Sequence, residues 1–152
     1  MKIIDKLYYI LSFTWGILAN ILGAIVYGVI VASSKFIKSE KKIQYGRVVL
    51  IFGNNWGGLS LGNFVFLSKA SSKDTSTLSH EIGHSIQNIL WGPLFLFVIG
   101  IPSALRYWYR ETDTYKNNPE KHTDYDSIWF EGQATKWGTS YLTFKDSVKE
   151  NT

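Results

Sequence analysis

The residues of this chain best suited to chemistry stand together in Thr77-Leu78-Ser79-His80-Glu81-Ile82-Gly83-His84-Ser85. His80 and His84 are four positions apart. On a helix that spacing stacks both imidazoles on one face. Neutral imidazole nitrogen is a good zinc ligand, at about 2.0–2.1 Å. Glu81 directly follows the first histidine and flanks any metal held there, where it can serve as general base on a water. A lysine in place of either histidine would repel the ion, and an alanine in place of Glu81 would leave the water without a base. The plain alternative is a surface helix that carries two incidental histidines.

Two histidines do not complete a site, because catalytic zinc takes three protein ligands and keeps one position open. A third histidine six residues after His84 would need glycine where Gln87 stands and histidine where Leu90 stands, so that pattern is excluded. The remaining candidates are His122, Asp124, Asp126 and Glu131. Glu131 is flanked by Ile128, Ala134 and Trp137 in a helical pattern that Asp124 or Asp126 can cap. A carboxylate in apolar surroundings requires compensation, which a metal supplies. His122 and Tyr125, in the polar stretch before it, are candidate donors to a developing oxyanion.

These residues need elements to position them. Leu78, Ile82, Ile86 and Ile89 recur at helical spacing; Asp74, Thr75 and Ser76 offer N-caps, and Gly92-Pro93 a stop. The pattern predicts a helix over 75–91. Residues 46–53 and 59–67 read as two strands joined by the turn Asn54-Asn55-Trp56-Gly57-Gly58, and so as a hairpin. The fold class expected is α+β, with a small antiparallel sheet beside the active-site helix. Peptidases commonly bind substrate as an added strand on an exposed edge. Leu59, Leu61, Asn63 and Val65, in the strand before the metal helix, are the expected substrate edge. Residues 68–77 are polar and form a candidate cleft rim, and the polar stretch 143–152 reads as a frayed tail.

From Leu7 to Ser34 there is no charged residue. That length crosses a hydrocarbon core as a tilted helix, and it exceeds the roughly 7–15 apolar residues of a cleaved signal peptide. The expectation is a retained transmembrane anchor over 1–34, followed by a catalytic domain over 35–152. Ala19/Gly23 and Ala24/Gly28 are small-residue pairs that permit close packing. Lys35, Lys38, Lys41, Lys42 and Arg47 follow the run, which places the catalytic part on the cytoplasmic side. Residues 89–105 are apolar but interrupted by Gly92-Pro93 and Pro102. A full crossing there would separate the histidines from a downstream ligand, so this segment is expected to be re-entrant, interfacial or packed over the active helix. Arg106 to Arg110 then form a basic-aromatic collar suited to a headgroup boundary.

Composition narrows the rest. With 152 residues and no cysteine, one domain and an appendage are expected, and disulfides, thiolate metal sites and cysteine nucleophiles are excluded. The net charge of +4 is mildly basic, yet its clustering after the apolar run favours a membrane surface over nucleic acid.

The pattern His80-Glu81-x-x-His84 with Glu131 on a later helix resembles the gluzincin branch of the zincin metallopeptidases. The form His-Glu-Ile-Gly-His, the apolar segments and Glu131-x-x-Ala134 are similar to membrane-bound families related to heat-shock and prenyl-processing peptidases. Site-2 type intramembrane proteases also use His-Glu-x-x-His, but their Asp-Gly motif is missing here. The resemblance covers about residues 57–138. It implies a zincin-like fold and zinc peptide hydrolysis of a peptide or protein substrate, with His80, His84 and Glu131 as ligands and Glu81 as base. Those families carry Glu-x-x-Ala-Asp, whereas Thr135 stands here where that aspartate would be. Two rival readings are a membrane-bound binding or immunity-type protein that keeps the fold without catalysis, and a basic membrane-surface adaptor.

Overall fold

The computed structural model describes residues 3–150. Six helices and a four-stranded mixed sheet make an α+β fold. Helices α1 (Ile3–Thr14) and α2 (Ile17–Ala32) precede strands β1 (Ser39–Gln44), β2 (Arg47–Phe52), β3 (Gly58–Leu61) and β4 (Phe64–Leu67). Helix α3 (Thr75–Trp91) follows, then α4 (Ile101–Glu111), the short α5 (Asp113–Lys116) and the long α6 (Trp129–Glu150).

The sheet order is β1-β2-β4-β3. β1 and β2 form a hairpin closed by Tyr45 and Gly46, both at positive φ, the backbone that two-residue turns favour. The expected hairpin of 46–53 with 59–67 is not formed. Gly62-Asn63 breaks the second stretch into its own hairpin, β3 and β4, which brings β4 back parallel to β2. The cause is local: Gly-Asn is turn chemistry, and the Asn63 amide donates to Asn20 Oδ1 at 2.8 Å. The sheet is therefore mixed, not antiparallel.

Both faces of the sheet are covered at its centre, which explains the near-continuous apolar β2 and β4, whereas β1 is exposed. Val49, Ile51, Val65 and Leu67 pack on Leu78 and Ile82 of α3 and Leu142 of α6. Leu50 and Phe66, pointing the other way, pack on Ile30 of α2. The apolar N-terminal run thus supplies the third layer, with Ala19, Asn20, Gly23 and Ile30 buried and Ile21, Leu22, Ile25 and Val29 exposed. Of the two small-residue pairs, Ala19/Gly23 turns inward, Gly23 to the β3–β4 hairpin and Ala19 to Phe95, Ile99 and Phe130, whereas Ala24/Gly28 faces outward.

The single spanning helix expected over 7–34 is also not formed. Among the described residues no single helix is long and apolar enough to cross a membrane, and α1 meets α2 at 85°. Two buried polar residues within the run fix the bend. Asn20 Nδ2 donates to the carbonyls of Ser12, at 2.7 Å, and Gly16, at 3.2 Å. The Ser12 carbonyl belongs to the last turn of α1, whose carbonyls lack helical partners, and Gly16 is the N-cap of α2. Asn88 of α3 donates to Gly16 O as well, at 3.2 Å.

After α3 the chain reverses by 118°. A π-helical turn at Leu96–Gly100 leads into α4. Phe95 and Ile99 are buried against Ala19 and Phe130, whereas Leu94, Phe97, Ile101 and Leu105 stay exposed. Phe95 and Ile99 also line a cavity with Glu81 and His84 of the active helix. The C-terminal stretch is not frayed through the described residues: α6 continues to Glu150, Lys145 pairs with Asp5 of α1, and Tyr45 donates to Asp146 at 3.0 Å. Residues 151–152 of the expected tail lie outside the described residues.

Candidate metal centre

Helix α3 runs over the predicted residues, and Asp74 caps it by accepting from Ser76 N at 2.8 Å. Its apolar face seats Leu78 and Ile82 on the sheet, which leaves His80 and His84 facing the start of α6. Glu131, in the first turn of α6, meets them there. His80 Nε2 lies 3.1 Å from Glu131 Oε2, and His84 Nε2 lies 3.2 Å from the same oxygen. The two Nε2 atoms are 3.1 Å apart. Among the described residues this is a group able to hold a metal ion. Glu131 is fully buried, His84 nearly so and His80 partly exposed. Glu131 is thus singled out from the ligand candidates, whereas Asp124 and Asp126 are exposed in the preceding turn.

The outer nitrogens of both rings are tied. His84 Nδ1 is 2.7 Å from Gln87 Oε1. The Gln87 amide donates to Phe130 O at 2.7 Å and to Gln133 Oε1 at 3.0 Å, so its oxygen must face His84 and accept a proton. In the neutral ring, His84 Nε2 is left with a lone pair toward the site. His80 Nδ1 lies 2.8 Å from Thr135 Oγ1. Burial alone would raise the Glu131 pKa, but the His80 and His84 rings, when protonated on Nε2 as well, donate to it, overcome burial and hold the carboxyl below the usual range.

Glu81 is also buried, and burial pushes its pKa up against the opposing pull of His84 and His80. Its carboxylate rests on the first residue of β3. A Cβ on Gly58 would lie 2.5 Å from Glu81 Oε1, so glycine at the start of that strand leaves room for the carboxylate where it stands. Glu81 Oε2 and Glu131 Oε1 are buried without a hydrogen-bond partner. Two oxygens in this state are what a site for a cation and a polar reactant leaves behind.

Two cavities meet at Glu81. One, of about 180 Å³, is apolar and lined by Leu59, Phe95, Ile99, Ala104 and Trp108. The other, of about 390 Å³, is flanked by Ser76, Thr77, His80, Asp126 and Thr135. Gly58, Tyr107 and Tyr125 border both. The Tyr125 ring lies 5.5 Å from His80, edge to face, and its phenol pKa is raised by burial and by Glu131 and Glu81. It therefore stays protonated and able to donate.

His122, the other expected donor, is not brought to the site. Its ring stacks on Tyr115 at 4.7 Å and Nε2 donates to Tyr115 O at 2.9 Å. Arg106 and Arg110 turn inward: they donate to the carbonyls of Asp124, at 2.9 Å, and Thr123, at 2.8 Å, and hold the loop that presents Tyr125. The expected substrate edge is corrected in part. Leu59 and Leu61 lie on β3, which is an edge strand. Asn63 sits in the turn, bound to Asn20 and Tyr8, and Val65 lies in β4, whose two sides are occupied by β2 and β3. Gly58, Leu59 and Ser60 are the edge positions that line the apolar cavity.

Gln87, Gly58 and Tyr107 were not foreseen, whereas Thr135 was already marked by its place one residue after Glu131-x-x-Ala134. Gln87 had a signal, since it lies three positions from His84 on the same helical face. The others come from remote segments. Comparison with family models, with curated protein sequences and with solved structures returns no match.

Proposed function

We propose that the chain is a membrane-associated, zinc-dependent peptidase. The observation that carries this reading is the triangle of His80 Nε2, His84 Nε2 and Glu131 Oε2, with sides of 3.1–3.2 Å. Ligands about 2.0–2.1 Å from a tetrahedral zinc stand roughly 3.3 Å apart. A donor set of two imidazoles and one carboxylate suits zinc, and three ligands leave a position for water. Bound there, zinc supplies Lewis acidity toward a carbonyl and a water. Glu81, buried, with a raised pKa and a free Oε2, is suited to take the water's proton and pass it to the leaving amine. Tyr125 donates to the oxygen that gains charge. The edge of β3 offers main-chain hydrogen bonds to an extended peptide. The apolar cavity takes a bulky apolar side chain next to the cleaved bond: an apolar cavity of about 150 Å³ is already large enough for benzene.

Membrane association is supported by the exposed apolar side chains of Ile10, Phe13, Trp15, Ile17 and Ile21 on α1, α2 and the bend between them, and of Leu94, Phe97, Ile101 and Leu105 beyond α3. With α1 and α2 bent apart, these segments sit in one leaflet as interfacial elements. The lysines around β1 suit the anionic surface of a cytoplasmic leaflet, which supports a site on that side.

Purified full-length protein should carry about one zinc per chain. Glu81→Gln should retain it and lose peptide hydrolysis by about 10²–10⁴-fold. Hydrolysis that survives Glu81→Gln would overturn the mechanism.

A further inference from the structure

We propose that Thr135 and Asp126 form a two-member relay that fixes His80 as a ligand, in place of a carboxylate bonded directly to its ring. Thr135 lies one helical turn after Glu131 on α6, so a single helix register sets both the third ligand and the brace of the first. Thr135 Oγ1 donates to Asp126 Oδ1 at 2.9 Å. An ionised carboxylate can only accept, and a hydroxyl has one proton to give. Thr135 Oγ1 must therefore accept from His80 Nδ1, 2.8 Å away, so Nδ1 carries the proton. In the neutral ring Nε2 then keeps its lone pair and aims it at the point shared with His84 and Glu131.

The two histidines are braced differently. His84 rests on the neutral, buried Gln87 amide, whereas His80 rests on a hydroxyl backed by an exposed carboxylate at the rim of the polar cavity. Outer partners of this kind orient the ring and raise its basicity. Asp126 belongs to the turn Tyr125–Ser127 just before α6, so it reaches His80 only because that turn folds back over Thr135. The relay rests on the assignment of His80 as a metal ligand, and its test separates the two.

In metal-free, full-length protein with ¹⁵N-labelled histidine, His80 should show its proton on Nδ1, and Thr135→Val should release that preference. In zinc competition against a chelator, Thr135→Val should weaken binding by about 10–100-fold, and Asp126→Asn should weaken it less. Thr135→Asp should hold zinc with near-native affinity and make Asp126→Asn silent in its background. The apo melting temperature of Thr135→Val should stay near that of the parent, which excludes general unfolding as the cause. A tautomer and zinc affinity unmoved by Thr135→Val would overturn the relay. So would an Asp126→Asn effect of equal size with Thr135 or with the aspartate at that position. A fixed Nδ1 tautomer in protein that takes up no zinc would support the hydrogen-bonded chain and remove the peptidase reading instead.

Discussion

Replacing Gly138 with alanine should pull the third ligand away from the histidines. α3 and α6 cross with almost no side chain between them. A Cβ on Gly138 would lie 1.7 Å from Ser79 O, and one on Gly83 would lie 1.9 Å from Ala134 O. Real contacts of this kind do not fall below 3.0 Å. The helices would have to separate locally by about 1.3 Å for Gly138→Ala and about 1.1 Å for Gly83→Ala, shifts that well-packed cores resist at a cost of about 1–3 kcal/mol. Metal–ligand distances fall within about 0.2 Å of their standard values. His80 adjoins Ser79 on one helix, and Glu131 lies two turns before Gly138 on the other, so the shift opens the ligand triangle. Zinc affinity, measured by chelator competition, should fall by at least about tenfold, the lower end for losing even an outer partner. The metal-free protein should melt lower by roughly 2–10 °C. Gly28→Ala is the control, because a Cβ there meets nothing within 4 Å. Wild-type zinc affinity in Gly138→Ala would refute the claim that close helix approach sets the site.

Tyr125→Phe should leave zinc binding intact and lower kcat by about 10²-fold, as for loss of one oxyanion donor; an unchanged kcat would remove that role. Asn20→Leu should destabilise the fold by about 2–3 kcal/mol, because the Ser12 and Gly16 carbonyls and the Asn63 amide lose a buried partner, and thermal unfolding reads this directly. For pH, the folded-state pKa of Glu131 lies below its unfolded value of about 4.3. Its contribution to stability is therefore present above that value and lost as pH falls toward the folded one. The stability gap between metal-free parent and Glu131→Gln should be full near neutrality and narrow below about pH 4 in denaturant titrations. A gap that widens on acidification would contradict the assignment.

Much of the ligand set was legible because helical period is a local property. His80, Glu81 and His84 lie within one turn of a helix whose cap and stop are adjacent in the chain, and the structure gives that helix the predicted bounds. Glu131 was legible by its apolar flanks. The strand pairing was not. LSLGNFVFL reads equally as one long strand or as two short ones, and only the seat that Asn20 makes for Asn63 decides for the turn. The long uncharged run was misjudged for a related reason. Hydropathy sums over residues and takes no account of where Ser12, Asn20 and the distant Asn88 converge, yet these residues fix the bend.

Sequence by itself determined the residue types, their periodicity and hence the two imidazoles on one face with a carboxylate beside them. Tertiary structure decided what surrounds them: Thr135 and Asp126 against one ring, Gln87 pinned by the Phe130 carbonyl against the other, and Gly58 beneath Glu81. The physical reason is range. A helix propagates order through bonds four residues long, so its faces can be read from the chain. The distance between two helices depends on the absence of side chains at a crossing that no local pattern marks.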